Sequence, residues 1–141
     1  MGIYEISDTV ILWRLMEYVS PLGRPTITDW RNGLQTATRK ADFDSFLRLK
    51  VKTREWVSPD LRALKGKPLK GLYELRWRSD GIPHRIGGYI EPPNTFVMLM
   101  GFTHNAKKYD PPTAFDTLVK RRRQILNKEA SLHEFKVFTG Q

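Results

Sequence analysis

The stretch LYELRWRSDGIPHRIGGYI (residues 72–90), continued by EPPNTFVMLMGFTH (residues 91–104), has the clearest structural pattern in this chain. Tyr73, Leu75 and Trp77 alternate with charged residues, which is the pattern of a strand with one apolar face. The SDG tripeptide has the composition of a hairpin turn, and EPPN marks a second turn before an apolar run. The sequence therefore predicts an antiparallel meander with strands over residues 73–78, 84–90 and 95–102, the last of them central.

The residues before the meander predict a strand and two helices. We expect the strand over residues 11–19, and Thr28 is placed to cap the first helix. The apolar face of that helix comprises Trp30, Leu34, Ala37 and Ala41. A second helix is predicted to begin near Asp42 and to reach about Arg54. Its inward residues are Phe43, Phe46, Leu47 and Val51. A strand over residues 47–51 is the alternative, because its apolar residues also alternate.

The remaining segments predict a linker and a last helix. Residues 61–71 are basic and contain two glycines and a proline, which indicates a linker. After the meander, Thr113 and Asp116 resemble a capping box, and the helix is expected to end at about Lys128. Its inner stripe consists of Phe115, Leu118, Val119, Ile125 and Leu126. Helices and an antiparallel sheet in separate runs indicate the α+β class.

Length and composition indicate one domain over residues 1–141, with an N-terminal extension over 1–10 and a C-terminal tail over 129–141. Cysteine is absent, which excludes disulfides and thiolate chemistry. The three histidines form no HxxxH pair, so we expect neither a metal nor another cofactor. The sequence has no apolar run of membrane-spanning length and no basic start of a signal peptide. We therefore expect a cytoplasmic protein that does not contact a membrane.

Positive charge is concentrated in one part of the chain. Residues 62–123 contain 13 Lys and Arg against 5 Asp and Glu, whereas residues 1–61 contain 9 against 8. Nearly all of the net charge of +9 therefore lies around the meander. A polyanion is the partner that suits this distribution, and RNA or DNA is the commonest one.

Several motifs in this basic region occur in the order seen in a known superfamily. KPLKGLYELRWR (residues 67–78) resembles the "PLKGGLYELRxR" signature of the phage-derived, HigB-like branch of the RelE/HigB/ParE toxins. Arg85 resembles the arginine of that branch's second meander strand. Met100-Gly101-Phe102 with KKYDPP (residues 107–112) resembles its "HGFxKKxxxTP" stretch. The resemblance covers about 60 residues, 64–123.

The resemblance implies a RelE-like fold, with a helix pair packed on a small antiparallel sheet in the order strand, helix, helix, three-stranded meander, helix. It also implies the toxin of a type II toxin–antitoxin system, an endoribonuclease that cleaves mRNA on the ribosome and inhibits translation. The implied partners are a cognate antitoxin with a helix-turn-helix domain, the ribosome and mRNA, with the toxin itself monomeric. The alternatives are a ParE-like gyrase inhibitor and a relative that binds nucleic acid without catalysis.

The resemblance also assigns residues. Arg76 and Arg85 match positions where cleaving relatives hold catalytic or phosphate-binding cations, and they project from neighbouring strands. His104 and Tyr109 lie on the loop after the central strand, where the family places a residue that moves a proton or stacks on a base. The alternative is that these side chains have no functional role. The arginines would then form solvated cross-strand ion pairs, and His104 and Tyr109 would lie on a flexible basic loop.

Further basic residues suit contacts with RNA phosphates. They are Lys67, Lys70, Arg78, Lys107, Lys108, Arg121 and Arg122. In a solvated helix face, the run that contains Arg121 and Arg122 would have no such role. Glu74 stands where the best-known cleaving relatives carry lysine. It is either a base for the reaction or a carboxylate that orients Arg76 through a bidentate pair, and we expect the second role.

Overall fold

The computed structural model describes residues 10–137, so residues 1–9 of the expected N-terminal extension and residues 138–141 of the tail lie outside the described residues. The strands are β1 (Arg14–Val19), β2 (Leu61–Ala63), β3 (Tyr73–Ser79), β4 (Ile82–Glu91), β5 (Thr95–Asn105), β6 (Lys108–Asp110) and β7 (Ser131–Glu134). The helices are α1 (Thr26–Asn32), α2 (Ala37–Val51) and α3 (Ala114–Leu126), with a 3-10 turn over Lys67–Leu69. The predicted α+β class is confirmed.

One mixed sheet contains all seven strands, in the order β2-β3-β4-β5-β1-β7, with β6 paired to β5. The expected sheet was smaller and antiparallel, and both points need correction. β1 runs parallel to β5, with Arg14 opposite Thr95, and the other pairs are antiparallel. The additional strands are three or four residues long, which is too short for alternation to reveal them. β2 lies in the expected linker, and β7 lies in the expected tail.

The predicted meander is confirmed as β3, β4 and β5. Asp80 and Gly81 form the β3–β4 turn with φ of 53° and 74°, the conformation that a two-residue hairpin loop requires. Ala106 and Lys107, with φ of 51° and 69°, form a similar turn between β5 and β6. The second turn aligns β6 beside β5 and so brings the loop residues 107–110 back to the sheet.

The helix pair is present, but its break lies earlier than predicted. α1 begins at Thr26, so Thr28 is inside the helix, and the chain leaves helical geometry between Gly33 and Thr36. Thr36 caps α2 by accepting a hydrogen bond from the Arg39 amide at 3.0 Å. Asp42, the predicted start of the second helix, lies within α2. Its carboxylate accepts a hydrogen bond from the Ser79 hydroxyl at 2.6 Å and so does not cap the helix.

The two faces of the sheet are covered by different helices. α1 and α2 cover the face that contains Leu75 and Ile86, and the buried side chains of α2 include Phe43 and Leu47. The expected inner residues Phe43, Phe46, Leu47 and Val51 all pack there, whereas Ala37 and Ala41 are exposed. α3 covers the opposite face, which we call the α3 face, through Leu118 and its neighbours.

α3 differs from its prediction at both ends. The Thr113 side chain makes no capping hydrogen bond, and the helix ends at Leu126 rather than near Lys128. Leu126 is 71% exposed, so it does not belong to the inner stripe. The rest of that stripe faces the sheet, with Leu118 fully buried.

Two glycines let the helices approach the sheet closely. A Cβ on Gly101 would lie 2.2 Å from the Trp30 ring of α1, and one on Gly87 would lie 2.6 Å from Leu118 of α3. Both distances are far below van der Waals contact, so a side chain at position 101 would displace the Trp30 ring, and one at position 87 would force the Leu118 side chain to move. Within residues 10–137, no helix is long and apolar enough to cross a membrane.

A buried carboxylate of β1 completes the N-terminus of α1. Pro25 occupies the N-cap position and offers no side-chain oxygen there. Glu17 provides the missing acceptor instead. Its Oε1 accepts hydrogen bonds from the Ile27 and Thr28 amides, each at 2.9 Å. Its Oε2 accepts a third from the Thr28 hydroxyl at 2.7 Å. Glu17 therefore fixes α1 against the sheet.

Replacing Glu17 with alanine is predicted to lower the free energy of unfolding by about 2–3 kcal/mol, because it leaves buried amide donors without acceptors. Urea denaturation followed by circular dichroism measures the change. The matched control is Asp29→Ala, which removes an exposed carboxylate from the first turn of the same helix. A Glu17→Ala effect no larger than that of the control would show that the buried hydrogen bonds do not hold α1.

Candidate functional site

Cross-strand pairing brings the four predicted catalytic residues to the α3 face. Arg76 of β3 lies directly opposite Arg85 of β4, and His104 of β5 lies opposite Tyr109 of β6. Arg85 is in turn opposite Phe102, two residues before His104 on the same face of β5. Residues 76 and 109 are therefore brought to one surface although 33 positions separate them in the sequence.

Glu74 holds Arg85 at the centre of this surface. Its Oε2 accepts a hydrogen bond from Arg85 Nη1 at 2.5 Å, and both side chains are at least nine-tenths buried. Arg76 Nε lies 3.8 Å from the same oxygen. The expected pairing of Glu74 with Arg76 is thus present as an ion pair, but its bidentate geometry is wrong, because Arg85 takes the close position. The Glu74 side chain is only 4% exposed, which places it poorly to take a proton from a bound RNA.

Arg85 extends the contact to His104. Its Nη2 lies 3.4 Å from His104 Nδ1. Since a guanidinium can only donate, Nδ1 accepts, and the ring proton is placed on Nε2. The His104 ring stacks on Tyr109 with 4.2 Å between centroids and 13° between planes. Tyr109 packs on Phe115 of α3, with 4.7 Å between centroids. The chain of contacts from Glu74 to Tyr109 fixes the two rings.

Arg76 is the accessible cation of this set. Its side chain is 29% exposed, against 9% for Arg85. A cavity of about 270 Å³ lies beside it, and both arginines line that cavity. Arg76 therefore has room to meet a phosphate, while Arg85 contributes positive charge from beneath the surface.

Two of the predicted RNA contacts border this surface, and a third lies close in sequence but on the other face of the sheet. Arg78 follows Arg76 on the same face of β3 and is anchored by a 2.7 Å hydrogen bond to the Gly81 carbonyl. Lys107 and Lys108 are exposed at the β5–β6 turn, close in sequence to Tyr109. Arg78 and Lys107 therefore add positive charge at the edge of the α3 face. Lys108 alternates with Tyr109 along β6, so its side chain lies on the opposite face, where it lines a cavity with Gly33 and His84.

The other predicted RNA contacts lie elsewhere, around α3 and the 3-10 turn. Lys67 and Lys70 are exposed, and Arg122 donates to the Lys70 and Pro68 carbonyls at 2.7 and 3.1 Å. Arg121 donates to the Leu99 carbonyl at 2.8 Å, and its guanidinium lies over the Tyr18 ring. Burial lowers the pKa of Arg121. Both arginines are thus bonded within the fold, and RNA binding by these residues stays a prediction.

Sequence reasoning missed Asp60, which lies next to Arg76. The Arg76 amide donates to the Asp60 carbonyl at 2.9 Å, and Asp60 lines the same cavity as Arg76. Lys50 Nζ donates to Asp60 Oδ2 at 2.6 Å. Asp60 follows a Ser-Pro pair and looks like an ordinary loop residue, so no local signal distinguishes it.

Comparison with known proteins adds no assignment to this geometry. The chain matches no protein-family model, and no curated protein or solved structure matches it significantly. The contacts of the α3 face therefore carry the functional argument.

Glu74→Gln is predicted to lower the free energy of unfolding by roughly 3 kcal/mol, because it leaves the buried Arg85 cation without a counter-charge. Adding Arg85→Met should restore most of that loss, since the double variant has no unpaired charge. Chemical denaturation of the two single variants and the double variant provides the coupling energy. Asp44→Asn is the control, since it breaks the more exposed Arg31–Asp44 pair and should cost less than about 1 kcal/mol. Additive effects at positions 74 and 85 would contradict the pairing.

Proposed function

We propose that this protein is the toxin of a type II toxin–antitoxin system, a ribosome-dependent mRNA endonuclease of the RelE/HigB kind. The observation that supports the proposal is the meeting of Arg76, Arg85, His104 and Tyr109 on one face of the sheet. The motifs of residues 67–112 contribute these four residues from separate segments. Had the fold placed these four side chains far apart, the main reason for the proposal would be absent.

The proposed reaction is attack by a 2′-oxygen of RNA on the adjacent phosphorus. The bond from phosphorus to the 5′-oxygen breaks, which leaves a 2′,3′-cyclic phosphate on one fragment and a 5′-hydroxyl on the other. Negative charge grows on the phosphoryl oxygens in the transition state. Arg76 donates to these oxygens directly, and the buried Arg85 adds positive charge without having to reorganise during the step.

Two groups are placed to serve the leaving 5′-oxygen. The Tyr109 hydroxyl is a donor that makes no hydrogen bond to the rest of residues 10–137, and His104 Nε2–H is the second donor. In the proposed mechanism Tyr109 protonates the leaving oxygen, and His104 Nε2–H donates a hydrogen bond to it. His104 keeps its proton, because with Nδ1 accepting from Arg85 the ring is neutral and would otherwise become an anion. The 2′-hydroxyl proton passes to water or to a phosphate oxygen, since Glu74 is buried and bonded to Arg85. A site without an exposed carboxylate base depends on external alignment of the RNA, which agrees with a need for the ribosome.

The remaining parts of the proposal follow from the same resemblance and from charge. A monomeric toxin of net charge +9 would meet ribosome-bound mRNA in the cytoplasm, and Lys107 and Arg78 would bind phosphates beside the cut. Lys108, on the other face of the sheet, would bind RNA further from the cut. A cognate antitoxin with a helix-turn-helix domain would hold the protein inactive.

One observation favours a second candidate, a ParE-like gyrase inhibitor or a relative that binds nucleic acid without cutting it. Arg85 is buried against Glu74, so only Arg76 of the two arginines is exposed enough to meet a phosphate. The basic surface would then serve binding alone.

Arg76→Ala is predicted to reduce mRNA cleavage by roughly 100-fold or more, which is the usual cost of losing one transition-state contact of this kind. The full chain is added to a cell-free translation system, and mRNA 5′ ends are mapped by primer extension with and without ribosomes. Arg24→Ala, which removes an exposed arginine of the β1–α1 loop, is the charge-matched control and should cut like wild type.

Codon-phased cuts that need ribosomes and disappear only with Arg76→Ala would support the nuclease. Equal cutting by Arg76→Ala and wild type would contradict the site. Intact mRNA with every protein would favour the second candidate, for which inhibition of gyrase supercoiling is the next measurement.

A further inference from the structure

The cavity beside Arg76 contains a negative charge as well as positive ones. The residues that line it are Pro59, Asp60, Arg76, Trp77, Arg78, Pro83 and Arg85. Its volume of about 270 Å³ is enough for a planar heterocycle the size of a nucleobase. A carboxylate disfavours a phosphate beside it, because the two anions repel each other, so a group with hydrogen-bond donors suits the Asp60 side of the cavity better.

Asp60 is held in place from two directions. Its backbone carbonyl accepts from the Arg76 amide at 2.9 Å, which ties it to β3. Its side chain accepts through Oδ2 from Lys50 Nζ at 2.6 Å, and Lys50 is buried in α2. The Asp60 side chain is 41% exposed, and Oδ1 makes no hydrogen bond to any residue of the described part of the chain. Oδ1 is therefore a fixed acceptor at the wall of the cavity.

A fixed carboxylate oxygen discriminates among nucleobases. It accepts well from the exocyclic amino groups of cytosine, adenine and guanine. Uracil has no amino group, and its single N3–H lies between two carbonyl oxygens that the carboxylate repels. The flat rings of Pro59 and Pro83 suit the apolar faces of any base.

We infer that this cavity is a nucleobase subsite, in which Asp60 selects bases with an amino group over uracil next to the phosphate bound by Arg76. The inference rests on the proposed function, since it assigns the sequence preference of the same site. A base docked between Asp60 and the prolines would place its phosphate within reach of Arg76, because Asp60 and Arg76 are neighbours in the sheet.

The variant Asp60→Asn tests the role of Asp60 directly. Lys50 Nζ can only donate, so it will bind the amide oxygen of Asn and turn the amide NH2 toward the cavity. The acceptor becomes a donor, which suits the carbonyl oxygens of uracil. Wild type should cut sites that place uracil in the subsite roughly 3- to 10-fold less than the other bases, the gain expected of one hydrogen bond, and Asp60→Asn should abolish or reverse that difference.

The experiment uses the full chain and a messenger library with randomised codons, translated in the cell-free system and sequenced at the cut ends. Asp44→Asn is the control, since it makes the same chemical change in an ion pair of α1 and α2. If a folded Asp60→Asn protein cuts with the same base preference as wild type, the subsite is overturned. The proposed nuclease activity is then unaffected.

A second measurement keeps the inference testable if Asp60→Asn does not fold or if wild type cuts no RNA. The wild-type chain is titrated by calorimetry with the full set of 2′-O-methyl dinucleotides, which cannot be cleaved because the attacking hydroxyl is blocked. Binding that is roughly 3- to 10-fold weaker when uracil occupies one position supports the subsite, even if the nuclease has failed. Equal binding of all dinucleotides overturns the subsite whatever the outcome of the cleavage assay.

Discussion

The buried pair of Glu74 and Arg85 is the interaction on which the α3 face depends. Each charge would be costly in the sheet interior without the other, and their 2.5 Å contact joins β3 to β4. Arg85 carries the connection on to His104 in β5, and His104 carries it to Tyr109 in β6. One ion pair thus sets the positions of side chains from four strands. It also converts a carboxylate that would repel RNA into part of a structure with net positive charge.

The surroundings of this pair keep the sheet rigid. Gly101 and Gly87 allow Trp30 and Leu118 to pack directly on the backbone from opposite faces. Glu17 fixes α1, and Lys50 of α2 fixes Asp60 at the edge of the cavity. The proposed site, in which guanidinium, imidazole and phenol groups would meet one phosphate, would benefit from such support, because small displacements weaken transition-state contacts strongly.

The sequence predicted the centre of the molecule better than its edges. Strict alternation over Tyr73 to Arg78 and the SDG turn determine which residues of the hairpin share a face, so the pairing of Arg76 with Arg85 was accessible from the pattern. The contact of Glu74 was not, because alternation places both arginines near Glu74 and only packing decides between them. Asp42 has a residue type typical of helix starts, and the sequence could not reveal its actual partner, Ser79, which lies 37 residues away. The strands β2, β6 and β7 form by pairing with neighbours across the sheet, and they are too short to show an alternation of apolar and polar residues.

The chemical ends of the RNA fragments are the sharpest test of the proposed cleavage reaction, because they report which atom attacked the phosphate. Fragments made by the full chain on translating ribosomes would be analysed by mass spectrometry and by their susceptibility to 5′-kinase treatment. Attack by the 2′-oxygen at a site built from Arg76, His104 and Tyr109 predicts 2′,3′-cyclic phosphates and free 5′-hydroxyls. Fragments that carry 5′-phosphates and 3′-hydroxyls would show attack by water, as in metal-dependent nucleases, and would contradict this account of the α3 face.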